Sequence, residues 1–179
     1  LVGSEMCIRD RIYGFLNILF KILDEEEPSH LLVAFDEKAP TFRHKMYEEY
    51  KGKRKPMPAE LSEQVPVIRN LLQVMNIRIY AEEGIEADDI LGTMAKKAEQ
   101  EGYLVSIVSG DRDLLQLATD TILVRIPKTS RGKTVVEDYH TAQVIEKYSV
   151  TPSQIIDLKG LMGDASDNIP VSYTHLTLP

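Results

Sequence analysis

The sequence has 179 residues, of which 43% are hydrophobic and 27% are charged, so it can bury a core as one domain. Its 28 acidic residues exceed its 21 basic ones and give a net charge of -7, which argues against a partner bound through overall positive charge. A single cysteine excludes an intramolecular disulfide framework and favours a cytoplasmic setting. The longest nearly apolar run, residues 12–20, is shorter than the ~20 residues of a membrane span, so no membrane partner is expected.

In chain order, the apolar spacing predicts helices that alternate with short strands. Helical periodicity is found in five segments, namely 12–27, 65–75, 86–100, 141–148 and 153–162. Short apolar runs that favour strands lie at 31–35, 77–80, 104–109, 121–126 and 134–137. This alternation predicts an α/β domain whose central, mostly parallel sheet is flanked by helices.

Acidic residues follow predicted strands and begin or end predicted helices. They are Asp36, Glu86, Asp88, Asp89, Asp111, Asp113, Asp164 and Asp167. Each alone is explained as well by a helix cap, a turn or a solvated loop. Because parallel strands bring their carboxyl ends to one edge of a sheet, we expect all eight acids to meet there, which weakens that explanation.

Eight carboxylates at one edge would repel each other unless cations neutralised them. Oxygen ligands without histidine or cysteine point to Mg²⁺ or Mn²⁺, and the number of acids is sufficient for two ions. Without these eight, the acidic residues fall to nearly the number of basic ones, so the rest of the protein is close to neutral.

A basic segment covers residues 41–58. It contains two glutamates against six basic residues, which are Arg43, Lys45, Lys51, Lys53, Arg54 and Lys55. Phe42, Tyr47 and Tyr50 are interleaved with them. Cations with aromatic rings suit single-stranded nucleic acid, whose phosphates attract charge and whose bases stack on flat faces. The alternative is a solvated surface loop with aromatic rings packed beneath it.

Six motifs in order resemble the 5′-nuclease domain of bacterial DNA polymerase I. They are V-A-F-D at 33–36, T-F-R at 41–43, Y-K-G-K-R-K-P at 50–56, E-A-D-D at 86–89, G-D-R-D-L-L-Q-L at 110–117 and L-M-G-D-A-S-D-N-I-P at 161–170. The resemblance implies a PIN-like 5′-nuclease fold with a basic helical arch at about 40–60. It also implies a metal-dependent 5′-3′ exonuclease and flap endonuclease with two Mg²⁺ ions, for which Mn²⁺ can substitute.

The implied partners are DNA with a 5′ flap, a nick or a single-stranded 5′ end, an RNA primer, and a polymerase domain in the full-length chain. The implied protein is a monomer in the bacterial cytoplasm, associated with the nucleoid. Replication and repair are its implied processes.

The resemblance also implies roles for individual residues. Asp36, Glu86 and Asp88 match ligands of one ion, and Asp111, Asp113 and Asp167 match ligands of the second, with Asp88 shared. Asp89 and Asp164 match acids of the same cluster that act through water or from outside the direct ligands of the ions. Lys51 and Arg54 match catalytic residues at the arch entrance that stabilise the scissile phosphate. The implied DNA-binding residues are Arg43, Lys45, Tyr50, Lys51, Lys53, Arg54 and Lys55.

The two ends depart from the family pattern. We expect residues 1–11 and 171–179 to be a non-native leader and tail around a partial 5′-3′ exonuclease domain at 12–170, with a helix-hairpin-helix region beginning at about 160–170. The first strand of the family, which carries a metal-binding aspartate, does not appear in the sequence. We therefore expect this polypeptide to be a poor or inactive nuclease.

Two other functions compete with the nuclease. A catalytically silent DNA-binding fragment or relative would keep the fold without turnover, and the missing aspartate favours it. An aspartate-based phosphatase with Asp36 as nucleophile would need a second acid two residues later, where Lys38 stands. The phosphatase is therefore disfavoured.

Overall fold

A computed structural model describes residues 2–54, 56–130 and 133–171 of the chain. Within these residues the α-helices are α1 (Val2–Glu26), α2 (Phe42–Met46), α3 (Ala59–Ser62), α4 (Gln64–Val74), α5 (Ala87–Gln100), α6 (Thr141–Tyr148) and α7 (Ile155–Met162). The strands are β1 (Leu32–Ala34), β2 (Arg78–Tyr80), β3 (Val105–Val108), β4 (Ile122–Ser130) and β5 (Lys133–Tyr139). Two 3₁₀ helices cover Arg112–Leu117 and Pro152–Gln154.

The chain forms two compact units. Unit one comprises the described parts of Leu1–Phe35 and Lys55–Ala81, and unit two those of Asp36–Arg54 and Glu82–Pro179. All the acidic residues singled out from the sequence belong to unit two. The basic segment belongs to unit two as far as Arg54.

Unit one contains a two-stranded parallel sheet and the helices α1, α3 and α4. Strands β1 and β2 pair in register from Leu32 opposite Arg78 to Ala34 opposite Tyr80. Leu72 of α4 is fully buried, and Leu19 of α1 is nearly so. Apolar burial of this kind, rather than helix propensity alone, stabilises helices of ordinary length. No helix in the described part of the chain combines the length and apolar character that crossing a bilayer would demand.

Unit two is built on the three-stranded sheet β3–β4–β5. Strand β3 pairs parallel with β4, and β4 pairs antiparallel with β5. Its apolar core joins side chains of the sheet, the first 3₁₀ helix and the helices α5, α6 and α7, among them Ile107, Leu115, Val124, Val144 and Ile155. Such a core fixes the ends of β3, α5 and α7, where the acidic residues lie.

The structure corrects several sequence-based boundaries. Helix α1 begins at Val2 instead of residue 12, because the preceding residues contain no proline and a helix extends cooperatively once it is nucleated. Strand β4 continues past Pro127 to Ser130 instead of ending at 126. Proline is tolerated there because the pairing with β3 ends at Arg125, which leaves β4 with one neighbour.

The sheet and the basic segment also differ from expectation in detail. In place of one central sheet, the described strands form a two-stranded parallel sheet and a three-stranded mixed sheet. Between residues 42 and 54 the basic segment has one short helix, α2, followed by turns.

Candidate metal centre and nucleic-acid interface

Four separate segments of unit two supply the predicted acidic residues. Asp36 is the first residue of this unit, and Glu86, Asp88 and Asp89 begin α5. Asp111 is the N-cap residue of the 3₁₀ helix that follows β3, and Asp113 lies in the first turn of that helix. Asp164 and Asp167 lie in the loop after α7. The acids therefore share one unit although they are far apart in sequence.

The N-terminus of α5 holds three of these acids in place. Glu86 is the N-cap residue, and its backbone N–H donates to Asp89 Oδ2 at 3.4 Å. Asp36 Oδ1 accepts a 2.7 Å hydrogen bond from the backbone N–H of Ala87. The first N–H groups of a helix lack partners within the helix, and carboxylates also interact favourably with its positive end. This helix end therefore orients carboxylates from two segments.

A six-residue loop closed by Asp164 and Ile169 presents Asp164 and Asp167. The backbone N–H of Asp164 donates to Ile169 O at 2.9 Å, and that of Ile169 donates to Asp164 O at 2.7 Å. Gly163 precedes the loop at φ +66°, and a Cβ at this residue would lie 2.6 Å from Ile169 O. The tight loop therefore requires glycine at this residue.

Three basic residues of the segment 41–54 contact acids of the cluster. The two terminal nitrogens of Arg43 donate to both oxygens of Asp89 at 2.6 and 2.7 Å. Lys51 Nζ lies 2.9 Å from Glu86 Oε1. Arg54 lies 3.1 Å from Asp167 Oδ1. The basic segment therefore provides counter-ions for the acidic cluster.

Tyr50 lies beneath this segment. Its hydroxyl oxygen is 3.2 Å from Glu86 Oε2 and 3.1 Å from Asp167 Oδ2, and only 7% of the residue is exposed. Burial raises the pKa of the hydroxyl, and the two negative carboxylates add to the rise. Its ring also meets His44 edge-on with centroids 5.1 Å apart. Tyr50 thus links acids from two segments.

Lys159, near the end of α7, was not found by sequence reasoning. Its Nζ lies 2.8 Å from Asp113 Oδ1 and 2.9 Å from Asp164 Oδ2. Its position five residues before Asp164 was the only signal, and in sequence that spacing is unremarkable. Thr41 and His44 were missed too. Thr41 Oγ1 lies 2.9 Å from His44 Nδ1 and 3.5 Å from Glu86 Oε1.

Within the cluster, Asp88 has the most strongly raised pKa. Burial raises the pKa of Asp88 to about 6, and the negative charges of Asp111, Asp36 and Glu86 add to the rise against the effect of Lys51. Burial also raises the pKa of Asp113, although Lys159 opposes it. A partly buried carboxylate among like charges favours its protonated form unless a cation stabilises its charge.

Other acids of the cluster are stabilised in their charged form. The hydrogen bond from Arg43 lowers the pKa of Asp89. Hydrogen bonds from Ser166 and then Lys159 hold the pKa of Asp164 well below its usual range. These two carboxylates already have partners.

The donor set suits a hard divalent cation in its chemistry. Every acid offers oxygen, and Asp88, whose pKa is raised first by burial and then by neighbouring negative charges, has a charged form that a cation would stabilise. Within the described ranges, however, no three acidic, histidine or cysteine side chains converge closely enough to hold an ion.

Three predicted DNA-binding residues remain, which are Lys45, Lys53 and Lys55. Lys45 and Lys53 are exposed, and Lys55 lies outside the described residues. Of the aromatic residues, Phe42 and Tyr47 are 47% and 38% exposed and so offer accessible rings, unlike Tyr50. A cavity of about 310 Å³ has Asp36, Glu86, Lys51 and Arg54 in its wall.

Comparisons with known proteins assign the chain to a family. Residues 6–149 match the family described as 5′-3′ exonuclease, N-terminal resolvase-like domain. The chain is 57% identical over 159 residues to DNA polymerase I of Bacillus caldotenax and to that of Bacillus subtilis (strain 168). Each alignment covers 89% of this chain and 18% of the relative, so the chain spans about a fifth of the length of these curated relatives.

Solved structures agree at the level of the fold. The T5 D15 protein co-crystallised with metal ions matches with a TM-score of 0.74 at 24% identity, over 91% of this chain and 63% of that one. T5 5′-exonuclease with bound divalent zinc matches with a TM-score of 0.71 at 24% identity, over 89% of this chain and 61% of that one. This likeness confirms the predicted 5′-nuclease fold class. By sequence, the chain belongs to the family of 5′-3′ exonuclease N-terminal, resolvase-like domains.

Proposed function

We propose that this chain is the nuclease portion of a DNA polymerase I and hydrolyses phosphodiester bonds at 5′ ends and 5′ flaps of DNA in a metal-dependent reaction. One observation carries the proposal. Unit two brings together acids from four segments and sets Lys51 and Arg54 of the basic segment against them. Membership of a 5′-3′ exonuclease domain family supports the same reaction.

In this proposal the acids of the cluster bind two divalent metal ions. Asp36, Glu86 and Asp88 are the proposed ligands of one ion, and Asp111, Asp113 and Asp167 those of the second. Mg²⁺ is the proposed metal, with Mn²⁺ as a substitute, because both prefer oxygen ligands. Such ions, when bound, neutralise charge on a phosphate and make an attacking water more acidic. Asp89 and Asp164, which already have partners, contribute through water.

The basic residues have the task of binding phosphate. Lys51 and Arg54 lie beside Glu86 and Asp167, so the phosphate they bind would be the one next to the ions. Their charges stabilise the negative charge that develops during hydrolysis. Lys45 and Lys53, both exposed, bind phosphates farther along the strand.

The proposed substrates are DNA with a 5′ flap, a nick or a single-stranded 5′ end, and RNA primers. A polymerase domain in the same full-length chain is the proposed partner, because the matching relatives are DNA polymerases I of much greater length. The proposed setting is the bacterial nucleoid, with the protein acting as a monomer in replication and repair.

Cleavage of a labelled 5′-flap DNA tests this function. The chain is assayed with Mg²⁺, with Mn²⁺ and with EDTA, alongside Asp88→Asn. Asp120→Asn is the matched control, since Asp120 is exposed and precedes β4, at the opposite end of the parallel pair from Asp111. We expect slow, metal-dependent cleavage that Asp88→Asn abolishes and Asp120→Asn retains. Equal loss or equal retention in both variants would contradict the assignment of Asp88.

A second candidate function is DNA binding without turnover. One observation favours it, namely that several acids of the described cluster pair with basic side chains of the same chain and no three converge on an ion position. A flap substrate that binds with the same affinity in Mg²⁺ and EDTA and is never cut would support this candidate.

A further inference from the structure

Lys159 joins acids from two segments of the cluster. Asp113 lies in the first turn of the 3₁₀ helix after β3, whereas Asp164 opens the loop after α7. The Lys159 ammonium donates a hydrogen bond to Asp164 Oδ2 at 2.9 Å and lies 2.8 Å from Asp113 Oδ1 as an ion pair. Its side chain is 36% exposed and that of Asp164 only 19%, so the pair with Asp164 is screened less than a surface ion pair.

We propose that Lys159 is a positioning residue and an internal counter-ion, which takes the place of a divalent cation between Asp113 and Asp164 and so weakens metal binding there. This inference rests on the proposed metal-dependent function. In the metal-free protein Lys159 keeps the two segments together. In the metal-bound protein it competes for the oxygens of Asp113 and limits how many ions the cluster accepts.

The charge of the cluster supports this role. The eight acids carry eight negative charges when ionised, and within the described residues four basic side chains contact them, which are Arg43, Lys51, Arg54 and Lys159. Four negative charges remain, the number that two divalent cations neutralise. Removing Lys159 would leave five, an excess that favours tighter binding or a further ion.

Lys159 differs from the other three cations in its attachment. Arg43, Lys51 and Arg54 belong to the segment of short helix and turns at 41–54, whereas Lys159 projects from α7, whose Ile155 is buried in the core. It also lies in the last turn of that helix, where a positive charge is favourable. Its position is therefore fixed by the fold.

The test measures Mn²⁺ binding to the metal-free 179-residue chain by titration calorimetry, and its melting temperature in EDTA and in Mn²⁺. Lys159→Met removes the charge and keeps an unbranched apolar side chain, and Lys159→Arg keeps the charge. Lys96→Met is the matched control, because Lys96 pairs with Glu99 at 3.0 Å within α5 and belongs to no part of the cluster.

We expect Lys159→Met to melt at a lower temperature than wild type in EDTA and to bind Mn²⁺ roughly 5-fold or more tightly. Mn²⁺ should also raise the melting temperature of Lys159→Met by more than it raises that of wild type. Lys159→Arg and Lys96→Met should keep the wild-type affinity. A merely structural role would lower the melting temperature equally in both solutions and leave the Mn²⁺ affinity unchanged. Should Lys159→Met be unfolded in EDTA, Mn²⁺ is expected to restore its fold.

If wild type binds Mn²⁺, either of two results would overturn this inference and leave the metal-dependent function standing. One is unchanged or weaker Mn²⁺ binding by Lys159→Met, and the other is an unfolded Lys159→Met that Mn²⁺ does not refold. Absence of saturable Mn²⁺ binding by wild type would overturn both this inference and the metal-dependent function. The two failures are therefore distinguishable by the wild-type titration.

Discussion

Replacing Gly163 by alanine should detach or strain the loop that carries Asp164 and Asp167. Gly163 has φ +66° and ψ -178°, a backbone region that is essentially restricted to glycine and costs other residues about 1–3 kcal/mol. The new Cβ would also lie 2.6 Å from Ile169 O and 2.7 Å from Pro170 O, both backbone atoms that cannot rotate away. We therefore expect Gly163→Ala to lower the free energy of unfolding by about 3 kcal/mol, the upper end of this range.

Gly160 provides a matched control with the opposite sign. It lies inside α7, and a Cβ built on it meets no atom within 4 Å. Alanine in an open helical position stabilises by about 0.4–1 kcal/mol relative to glycine. Urea unfolding followed by circular dichroism compares Gly163→Ala, Gly160→Ala and wild type. A Gly163→Ala midpoint at or above that of wild type would refute the reasoning.

Three further predictions concern single side chains. Tyr50→Phe removes the hydroxyl that lies between Glu86 and Asp167, and should lower the free energy of unfolding by about 1 kcal/mol in urea; an unchanged midpoint would show that the hydroxyl contributes nothing. Hydrogen bonds from Lys128, Tyr139 and Lys147 lower the pKa of Glu137 from 4.5 to about 2. The charged form therefore adds stability above pH 4.5 that is lost as the pH falls toward 2. In an acid titration followed by circular dichroism, Glu137→Gln should therefore lose less stability than wild type as the pH falls from 4.5 toward 2. Identical loss of stability in the two proteins would contradict the lowered pKa of Glu137. Leu115→Ala, at a core residue with 1% exposure, should cost about 2–5 kcal/mol, and Leu161→Ala, at 62% exposure, less than about 1 kcal/mol; equal thermal shifts in the two variants would contradict the described core.

The helices and strands of unit two were largely predictable because their apolar periodicity is strong. The helix predicted from 86 to about 100 is α5, and the strand predicted at 104–109 contains β3. The predicted acids follow from the same logic, since Asp111 and Glu86 stand where a strand ends and a helix begins. Their assignment as metal ligands stays a prediction.

The contacts around these acids could not be predicted because they depend on tertiary packing. Lys159 reaches Asp113 only because the first 3₁₀ helix and α7 belong to one core. Tyr50 resembled a stacking residue in a basic segment, but its hydroxyl lies against Glu86 and its ring is buried. The start of α1 was missed because a segment without apolar periodicity can still continue a helix.

The most direct test of the central claim is cleavage of a labelled 5′-flap DNA by the 179-residue chain in Mg²⁺ and in EDTA, together with a version extended by a family-like first strand and C-terminal hairpins. A two-metal nuclease domain predicts that the extended version cuts in Mg²⁺ and not in EDTA, and that Asp88→Asn in it abolishes the cut. An extended version that binds the flap but never cuts it would contradict the account and leave the acids with a structural role.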